Sequence, residues 1–575
     1  MLHDLYTPQG QALTGTPWQS YPRPRMKREG WMNLNGEWEF AVSAQDSLPA
    51  QYDRKIRVPF CPESLLSGLK LSITPGSFLF YRRALVLPPQ CQGQVLLHIG
   101  AADQIADIYV NQKHVGSHVG GYHAFTLDIT DALAEENELV IRVTDDLRDQ
   151  TLPYGKQTLH RGGMWYTPVS GIWQTVWLEW VPENAIESLS VRTDGRSATL
   201  TVSPALSGTV TLEGRQYALL DGKAVLTPAE PRFWSPEDPH LYPFTVQTAT
   251  DRVESYFALR TVETKMFGGK ARLCLNGKPY FFHGLLDQGY WSDGIYTPAS
   301  EECFTQDILQ MKALGFNVLR KHIKVEPELF YYACDKLGMI VFQDMVNNGD
   351  YSFLRDTALP TVGIQKLPDR HLHKNPATRE AFLREMEATV AQLKNHPCIL
   401  YWTVFNEGWG QFDSDRVYDR LRALDDTRII DTTSGWFRQQ KSDVDSRHLY
   451  FGSWKQLRAD GQKPLVLSEF GGYCYPVENH LFHPEKAYGY KSCKTLDQFQ
   501  SALRALYLEK VVPAVREGLC AAIITQVSDV EDEINGFLTY DRQVCKADPE
   551  TMQAIAAALK GALEDACRES LSTGK

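Results

Sequence analysis

The spacing of apolar residues changes near Lys265, and the new spacing constrains the fold more than any other feature of the chain. Short apolar runs then alternate with segments of helical periodicity, a pattern typical of βα units around a parallel sheet. In one such segment Phe382, Met386 and Val390 recur at helical spacing before Asn395-His396-Pro397, which ends the helix. The pattern predicts a (β/α)8 TIM barrel with strands at Tyr280–Gly284, Asn317–Arg320, Met339–Gln343, Ile399–Phe405, Ile429–Thr432, His448–Phe451, Leu465–Ser468 and Cys520–Thr525.

The chain before the barrel has the pattern of all-β domains. From Trp31 to Pro182, short alternating segments are broken by Gly, Pro and Asn, which predicts an antiparallel β-sandwich whose length suits a jelly roll. The stretch from Ile186 to Thr264 is also all-β, and its length of about 80 residues fits a small immunoglobulin-like sandwich. We therefore predict a multidomain chain of β and α/β parts: a jelly roll over residues 1–182, an immunoglobulin-like sandwich over 183–265 and a barrel over 266–575.

Composition narrows the partners. The 575 residues carry a formal net charge of -11, so the chain has little with which to neutralise a phosphate lattice. We expect no nucleic acid and no membrane as partner, and a neutral or weakly charged substrate. The chain opens without a basic segment and apolar run, which favours a cytoplasmic protein. The 11 cysteines lack CxxC pairs, a pattern that favours reduced thiols over disulfides or a zinc site.

Two glutamates follow predicted barrel strands. Glu407 comes after the fourth strand and Glu469 after the seventh, and a barrel brings the carboxyl ends of its strands to one rim. Cleavage of a glycosidic bond needs two carboxylates, one to protonate the leaving oxygen and one to meet the developing oxocarbenium ion. A single strand-end Glu is more often a helix cap or an ion-pair partner. The pair, with Asn406 before one and Phe470-Gly471-Gly472 after the other, favours catalysis.

Several motifs in this order resemble glycoside hydrolase family 2, the family of β-galactosidases, β-glucuronidases and β-mannosidases. In the first domain Ile56-Arg57-Val58-Pro59-Phe60 and Ser170-Gly171-Ile172-Trp173 are similar to the family's sugar-binding jelly roll. In the barrel, Asn276-Gly277-Lys278-Pro279 and Gly315-Phe316-Asn317-Val318 lead into the first two strands. The resemblance covers nearly the whole chain. It implies an exo-acting β-glycoside hydrolase that retains configuration.

The resemblance also implies roles for individual residues. Glu407 is implied as acid/base, Glu469 as nucleophile and Asn406 as hydrogen-bond donor to the sugar 2-hydroxyl. Arg320 matches the strand-two arginine that orients the nucleophile, and a nearby guanidinium keeps a carboxylate ionised. Tyr450 stands where the family places a tyrosine beside the nucleophile. An interior ion pair for Arg320 and an interior aromatic for Tyr450 stay as alternatives.

Other residues are candidates for the sugar site. Asp145 matches a jelly-roll position that reaches over the barrel, although a surface loop Asp is an equal alternative. Asp287, after the first strand, is expected to contact the sugar. The long segment from Asn347 to Lys374 is expected to form a wall or lid of the pocket. Aromatic residues near the rim are expected either to stack on a pyranose or to pack in the core: Tyr290, Trp291, Trp409, Trp436 and Tyr473.

The sugar itself is argued from departures from the family. β-Glucuronidases carry an Asn-x-Lys pair for the uronate carboxylate, and here Glu533 and Asn535 occupy those positions. A carboxylate repels a carboxylate, so we expect a neutral β-galactoside. β-Glucuronides, β-galacturonides, β-mannosides and arabinosides stay open, because the same acidic run is also typical of a solvated loop.

Further expectations concern partners and cofactors. The third strand ends Phe342-Gln343-Asp344 where the family has Val-Asp-Glu, so we expect no metal, and we expect no cofactor. The expected partner is a small-molecule or oligosaccharide glycoside, and the resemblance leaves a homo-oligomer open. A carbohydrate-binding protein without activity is the non-enzymatic alternative; it should have lost a catalytic carboxylate, and both are present.

Overall fold

The protein is described by a computed structural model, which covers residues 2–361, 364, 367–451, 453–454 and 457–572. Within these ranges no helix is both long and apolar enough to cross a membrane.

The first part of the chain folds into two antiparallel sheets that enclose one apolar core. In the strand Gly36–Ser43 the side chains of Trp38 and Phe40 are buried while Glu37 and Glu39 are exposed, as expected of a strand with one face on a core. The six-stranded sheet has the order Arg54–Val58, Gly36–Ser43, Phe78–Ala84, Glu138–Thr144, Ile105–Val110 and Lys113–Val119. The four-stranded sheet has the order Trp31–Asn33, Val176–Val181, Gln94–Ile99 and Phe125–Asp128, and a short ladder joins Ala102–Asp103 to Gly171–Ile172.

A second, smaller sandwich follows. Its core collects alternate residues of facing strands, among them Leu200, Val210 and Phe244. One sheet has the order Ser188–Thr193, Ala198–Ser203 and Lys223–Leu226, and the other Arg215–Leu219, Gly208–Leu212, Tyr242–Thr248 and Arg252–Phe257. A three-stranded sheet of Val262–Phe267, Lys270–Leu275 and Lys278–Pro279 leads into the barrel. The boundaries at residues 182 and 265, and the finer names of the two sandwiches, stay predictions.

The third part is an eight-stranded parallel sheet that closes almost completely into a barrel. The fifth and sixth strands lie at the two edges of the hydrogen-bonded order, and the side chains of Ser434 and His448 bridge this seam at 2.9 Å. In chain order the strands are Phe282–Asp287, Val318–Lys321, Ile340–Asp344, Ile399–Asn406, Ile429–Ser434, Asp445–Leu449, Leu465–Gly471 and Leu519–Thr525. The predicted fold class is confirmed.

Each of the eight predicted strands overlaps one of these strands, but the predicted bounds of the first and sixth strands differ from the observed ones. The first strand was predicted to begin at Tyr280, whose backbone N–H instead donates to Leu273 of the preceding sheet. The sixth begins at Asp445, three residues before the predicted start, because charged residues at its beginning conceal the apolar pattern. In both cases the apolar run differed from the hydrogen-bonded segment.

Helices surround the barrel. Pro376–Leu393 is the longest helix between two barrel strands; Asn375 caps its first turn by accepting a hydrogen bond from the N–H of Ala377, and Pro suits the position after the cap. The α-helices are Pro8–Ala12, Glu302–Ala313, Glu328–Leu337, Leu359–Thr361, Pro376–Leu393, Ser414–Leu424, Leu496–Leu506, Val512–Arg516 and Pro549–Ser572. Shorter helical turns lie at Pro24–Met26, Thr130–Ala132, Phe353–Ala358, Asp369–His371 and Tyr507–Val511, and Tyr473–Cys474 pairs with Lys491–Ser492.

Asp335 joins the second sandwich to the barrel. Its fully buried carboxylate accepts hydrogen bonds from Tyr256 Oη of the sandwich at 2.7 Å and from the Cys398 N–H at 2.8 Å. It also lies 2.7 Å from His396 Nδ1, and its carbonyl oxygen accepts from the Trp234 indole N–H at 2.8 Å. One side chain therefore satisfies donors from both domains.

We expect Asp335→Ala to lower the thermal unfolding midpoint in scanning calorimetry. Removing the carboxylate leaves its buried hydrogen-bond partners unsatisfied, which costs about 1–3 kcal/mol for each of them. Asp53→Ala is the control, since Asp53 is exposed. Equal midpoints for the two variants would contradict this role of Asp335.

Candidate active site

The barrel brings the two glutamates predicted from the sequence to one place. Glu407 directly follows the fourth strand, and Glu469 lies inside the seventh. One carboxylate oxygen of Glu407 and one of Glu469 lie within 4.8 Å of each other. His448 lies between them: its Nδ1 is 2.8 Å from Glu407 Oε1 and 3.6 Å from Glu469 Oε2.

His448 was missed as a site residue in the sequence. The signal was available, since it lies two residues before Tyr450 in the sixth predicted strand. Its other nitrogen, Nε2, lies 2.9 Å from Ser434 Oγ at the end of the fifth strand. The ring is thus held from both sides. One carboxylate or ring-nitrogen atom from each of Glu407, His448 and Glu469 lies within 4.8 Å of the other two.

The backbone of Glu407 has an uncommon conformation. Its φ is 50°, in the left-handed region that costs a non-glycine residue about 1 kcal/mol or more. The N–H of Glu407 donates to the carbonyl of Ser434 at 2.9 Å, so the neighbouring strand holds this turn in place. Such strained positions cluster where a side chain must be aimed.

Glu469 is held as a carboxylate. Arg320 Nη1 donates to Oε1 at 3.0 Å, and Tyr450 Oη donates to Oε2 at 2.7 Å. Burial by itself would raise the pKa of Glu469, but interactions with His448 and Arg320 outweigh it and lower the pKa to about 2. The side chain is therefore ionised at neutral pH.

Arg320 connects the other members of the site. Its guanidinium is buried and donates to Asp344 Oδ1 at 3.0 Å and to Asn406 Oδ1 at 2.8 Å. Because the carbonyl oxygen of Asn406 is occupied in this way, its amide nitrogen is left to donate to a ligand. His322 Nδ1 lies 2.8 Å from Asp344 Oδ2. Neither His322 nor Asp344 was identified as a site residue from the sequence.

Aromatic rings border the glutamates. Tyr450 stacks on Tyr490 with 4.0 Å between ring centroids, and Trp436 lies 5.5 Å from the ring of His448. Trp409 packs on Trp165 of the first domain at 5.3 Å. Within the described part of the chain, the buried indole N–H groups of Trp409 and Trp436 have no hydrogen-bond partner. They are therefore available as donors at the site.

The other predicted rim aromatics lie elsewhere. Tyr290 and Trp291 are buried and pack against Tyr296 and Phe304 in the core. Tyr473 lies under the ammonium of Lys491. These rings follow the packing alternative.

The long segment after the third strand contacts the first domain. The carbonyl of Gly349 accepts from Tyr154 Oη at 2.8 Å, and Tyr351 packs against Trp165 at 4.8 Å and Trp409 at 5.7 Å. Residues 362, 363, 365 and 366 of this segment lie outside the described residues. The contacts place Tyr351 beside the aromatic border; the role as wall or lid stays a prediction.

In the structure two of the predicted sugar contacts, Asp287 and Asp145, have partners within the protein. Asp287 forms an ion pair with Lys321 at 2.7 Å. It is paired in register with Lys321, one residue beyond Arg320, so it lies on the opposite face of the sheet from Arg320. Asp145 accepts from Ser170 Oγ at 3.1 Å within the first domain, and burial raises its pKa to about 7. None of their side-chain contacts reaches either glutamate.

Glu533 and Asn535 lie in the segment after the eighth strand and contact each other and their neighbours. Asn535 Nδ2 donates to Glu533 Oε1 at 2.9 Å, and Gln526 Nε2 donates to Asn535 Oδ1 at 2.7 Å. Gln526 directly follows the eighth strand, whose last residue, Thr525, lies 2.7 Å from Tyr450 Oη. The other oxygen of Glu533 accepts from Tyr166 Oη of the first domain. Both residues are buried, so the acidic run is not a solvated loop here.

The chain is similar in sequence to β-glucuronidases and to a β-galactosidase. The chain is 26% identical over 414 residues to a β-glucuronidase of Bacteroides fragilis, covering 65% of this chain and 56% of that protein. It is 24% identical over 540 residues to a β-glucuronidase of Chlorocebus aethiops, covering 78% and 79%. It is 30% identical over 294 residues to a β-galactosidase of Aeromonas hydrophila, covering 46% and 26%. The chain thus spans about half the length of the Bacteroides relative and a quarter of the Aeromonas relative.

Solved structures share the fold. A β-glucuronidase of an uncultured Clostridium superposes with a TM-score of 0.73 at 19% identity, covering 93% of this chain and 99% of the other. A β-galacturonidase from Eisenbergiella tayi, bound to galacturonate, has a TM-score of 0.67 at 17% identity, covering 95% and 99%.

Two family models match the chain directly. The family 2 glycosyl hydrolase TIM barrel domain matches residues 269–556, and a second glycosyl hydrolase family 2 model matches residues 183–260. The barrel match spans half of the chain and contains both rim glutamates. The chain belongs to glycoside hydrolase family 2.

Proposed function

We propose that this family 2 glycosidase is an exo-acting β-glycoside hydrolase that retains configuration by double displacement. One observation carries the proposal: oxygens of Glu407 and Glu469 lie within 4.8 Å of each other. Retaining enzymes hold their carboxyl groups about 5–5.5 Å apart, whereas inverting enzymes need about 6.5–9.5 Å to admit a water. The short separation supports direct attack by one carboxylate.

The contacts support a division of roles between the two glutamates. Glu469 is ionised and oriented by Arg320 and Tyr450, as a nucleophile must be. It attacks the anomeric carbon while Glu407 protonates the departing glycosidic oxygen, and a glycosyl ester forms. Glu407 then takes a proton from water, which displaces Glu469 and frees the sugar. We give the amide nitrogen of Asn406 the role of donor to the 2-hydroxyl, because its carbonyl oxygen already accepts from Arg320.

We propose a neutral β-galactoside as substrate, because Glu533 would repel a uronate carboxylate. A β-glucuronide is the second candidate, favoured by the names of the Bacteroides and Clostridium proteins to which the chain is similar. The carbohydrate-binding alternative without activity lacks support, since both carboxylates are in place.

We expect Glu469→Gln to reduce turnover by a factor on the order of 10⁴ or more, because an amide does not attack the anomeric carbon. A 2-fluoro glycoside with a good leaving group should label the wild type at Glu469, detected by peptide mass spectrometry, and should not label the variant. Glu478→Gln is the control, because Glu478 is exposed. Labelling of a different residue would exclude Glu469 as nucleophile.

We expect Glu407→Gln to slow the hydrolysis of poor leaving groups by about 10²–10⁴-fold, the usual contribution of general acid catalysis. A dinitrophenyl glycoside should still glycosylate the enzyme, so stopped-flow traces should show a burst followed by slow release. Equal loss on good and poor leaving groups, without a burst, would argue against an acid/base role.

The pH profile tests the contact between Arg320 and Glu469. The pKa of Glu469 is lowered to about 2, so its ionisation should not limit kcat/KM at moderately acidic pH. Arg320→Met removes a positive charge, and we expect the acid limb to move up by about 1–3 pH units. Arg320→Lys keeps the charge and should move it less. An unmoved limb in a folded, active Met variant would rule out this electrostatic role.

A further inference from the structure

Lys156 is a buried lysine that the first domain contributes beside the active site. Its side chain is 6% exposed, and its Nζ lies 5.0 Å from the ring centroid of Trp409 and 5.9 Å from that of Tyr166. Trp409 is two residues after Glu407, and Tyr166 donates to Glu533. Lys156 therefore lies between the aromatic border and the acidic end of the site.

The ammonium differs from the other buried lysines of the described chain. Lys321 donates to Glu326 at 2.9 Å, Lys324 to the carbonyl of Gly289 at 2.6 Å, and Lys546 to Asp529 at 2.7 Å. For Lys156 no described residue accepts a hydrogen bond from Nζ. Aromatic faces attract a cation but do not replace the hydrogen bonds that an ammonium makes in water. Lys156 Nζ can therefore donate a hydrogen bond to an acceptor on a ligand.

Glu533 is the acidic counterpart of Lys156. Burial raises the pKa of Glu533, and the charge of Lys156 opposes that rise. The two do not form a direct ion pair, because the carboxylate oxygens accept from Tyr166 and Asn535 instead. The two charges are thus near enough to influence each other without direct contact.

Trp409, over which Lys156 lies, is 6.5 Å from the ring of His322 between ring centroids. Burial is the main cause that lowers the pKa of His322 to about 4, and the charge of Lys156 contributes. His322 contacts Asp344, a partner of Arg320. The ammonium is therefore near the group that orients the nucleophile, as well as near Glu533.

Other buried polar atoms of the site also lack hydrogen-bond partners in the described part of the chain. The indole N–H groups of Trp409 and Trp436 and the Oε1 atom of Gln526 are buried without a hydrogen-bond partner in the described part of the chain. Donors and an acceptor of this kind suit hydroxyl groups, each of which both donates and accepts. They add no charge to the pocket.

We infer that Lys156 is a specificity-determining residue; this inference rests on the function proposed above. Lys156 donates a hydrogen bond to a hydroxyl oxygen of a neutral glycone, and Glu533 accepts one from another hydroxyl of the same sugar. A hydroxyl pair satisfies both charges and leaves their sum at zero. A uronate would bring a further negative charge beside the carboxylates of Glu533 and Glu469, and burying an uncompensated charge is unfavourable.

Charge-altering variants test the inference. We would measure kcat/KM for nitrophenyl β-galactoside, β-glucoside, β-mannoside, β-glucuronide and β-galacturonide with the wild type, Lys156→Met and Glu533→Gln. Lys156→Met should lower kcat/KM on the preferred neutral glycoside by about 10- to 100-fold, the effect of losing a hydrogen bond to a charged group. Glu533→Gln leaves the ammonium unbalanced, so the ratio of uronide to neutral-glycoside kcat/KM should rise about tenfold or more.

Controls separate this inference from the proposed function. Lys336→Met also removes an ammonium over a tyrosine ring, but on an exposed helix position away from the site, and should keep wild-type kinetics. Thermal melts would reveal whether Lys156→Met folds poorly. In that case Lys156→Arg, which keeps the charge, should recover part of the activity. If the wild type is not labelled at Glu469 by the 2-fluoro glycoside, the proposed mechanism fails.

Two results would overturn the role of Lys156 while the mechanism stands. One is a labelled, active enzyme whose Lys156→Met variant keeps kcat/KM within twofold on every substrate. The other is wild-type activity confined to uronides together with an unchanged substrate ratio in Glu533→Gln.

Discussion

The guanidinium of Arg320 ties four barrel strands together at the point where the chemistry is proposed to occur. From the second strand it donates to Asp344 on the third, Asn406 on the fourth, and Ser468 and Glu469 on the seventh. Taking such a charge out of water is costly, and only well-placed partners offset the cost. The same contacts that stabilise the buried arginine therefore orient the nucleophile and the amide donor.

The seam of the barrel serves the acid/base in a related way. The fifth and sixth strands are not joined by a backbone ladder, and Ser434 and His448 bridge them instead. His448 then reaches Glu407 with its other nitrogen. A polar bridge that completes the barrel thus also fixes the position of a proposed catalytic carboxylate.

The proposed catalytic residues and some of the proposed sugar contacts come from different domains. Both glutamates, Arg320 and Asn406 come from barrel strands or their ends, where the backbone ladder restricts movement. The first domain supplies Lys156, Trp165 and Tyr166 at the border of the pocket. Loops of a separate domain can change residues without disturbing the strands, which fits a family whose named relatives include both glucuronidases and galactosidases.

The case of Asp287 shows where sequence patterns stop being informative. The apolar run predicted a first strand that ends at Gly284, which would leave Asp287 in a rim loop. The strand continues through Asp287, and along a strand a difference of one position changes the face on which a side chain lies. In the structure its side chain forms an ion pair with Lys321.

The sequence by itself determined the eight-stranded barrel and the strand-end positions of Glu407 and Glu469, because periodicity and strand order are local properties that a parallel barrel converts into one rim. Only the tertiary structure decided that His448 lies between the two carboxylates, that Asp287 faces away from Arg320, and that Lys156 lies over the rings of Trp409 and Tyr166. These contacts join residues far apart in the chain, and they depend on strand register and on how the domains pack. A local sequence pattern specifies neither strand register nor domain packing.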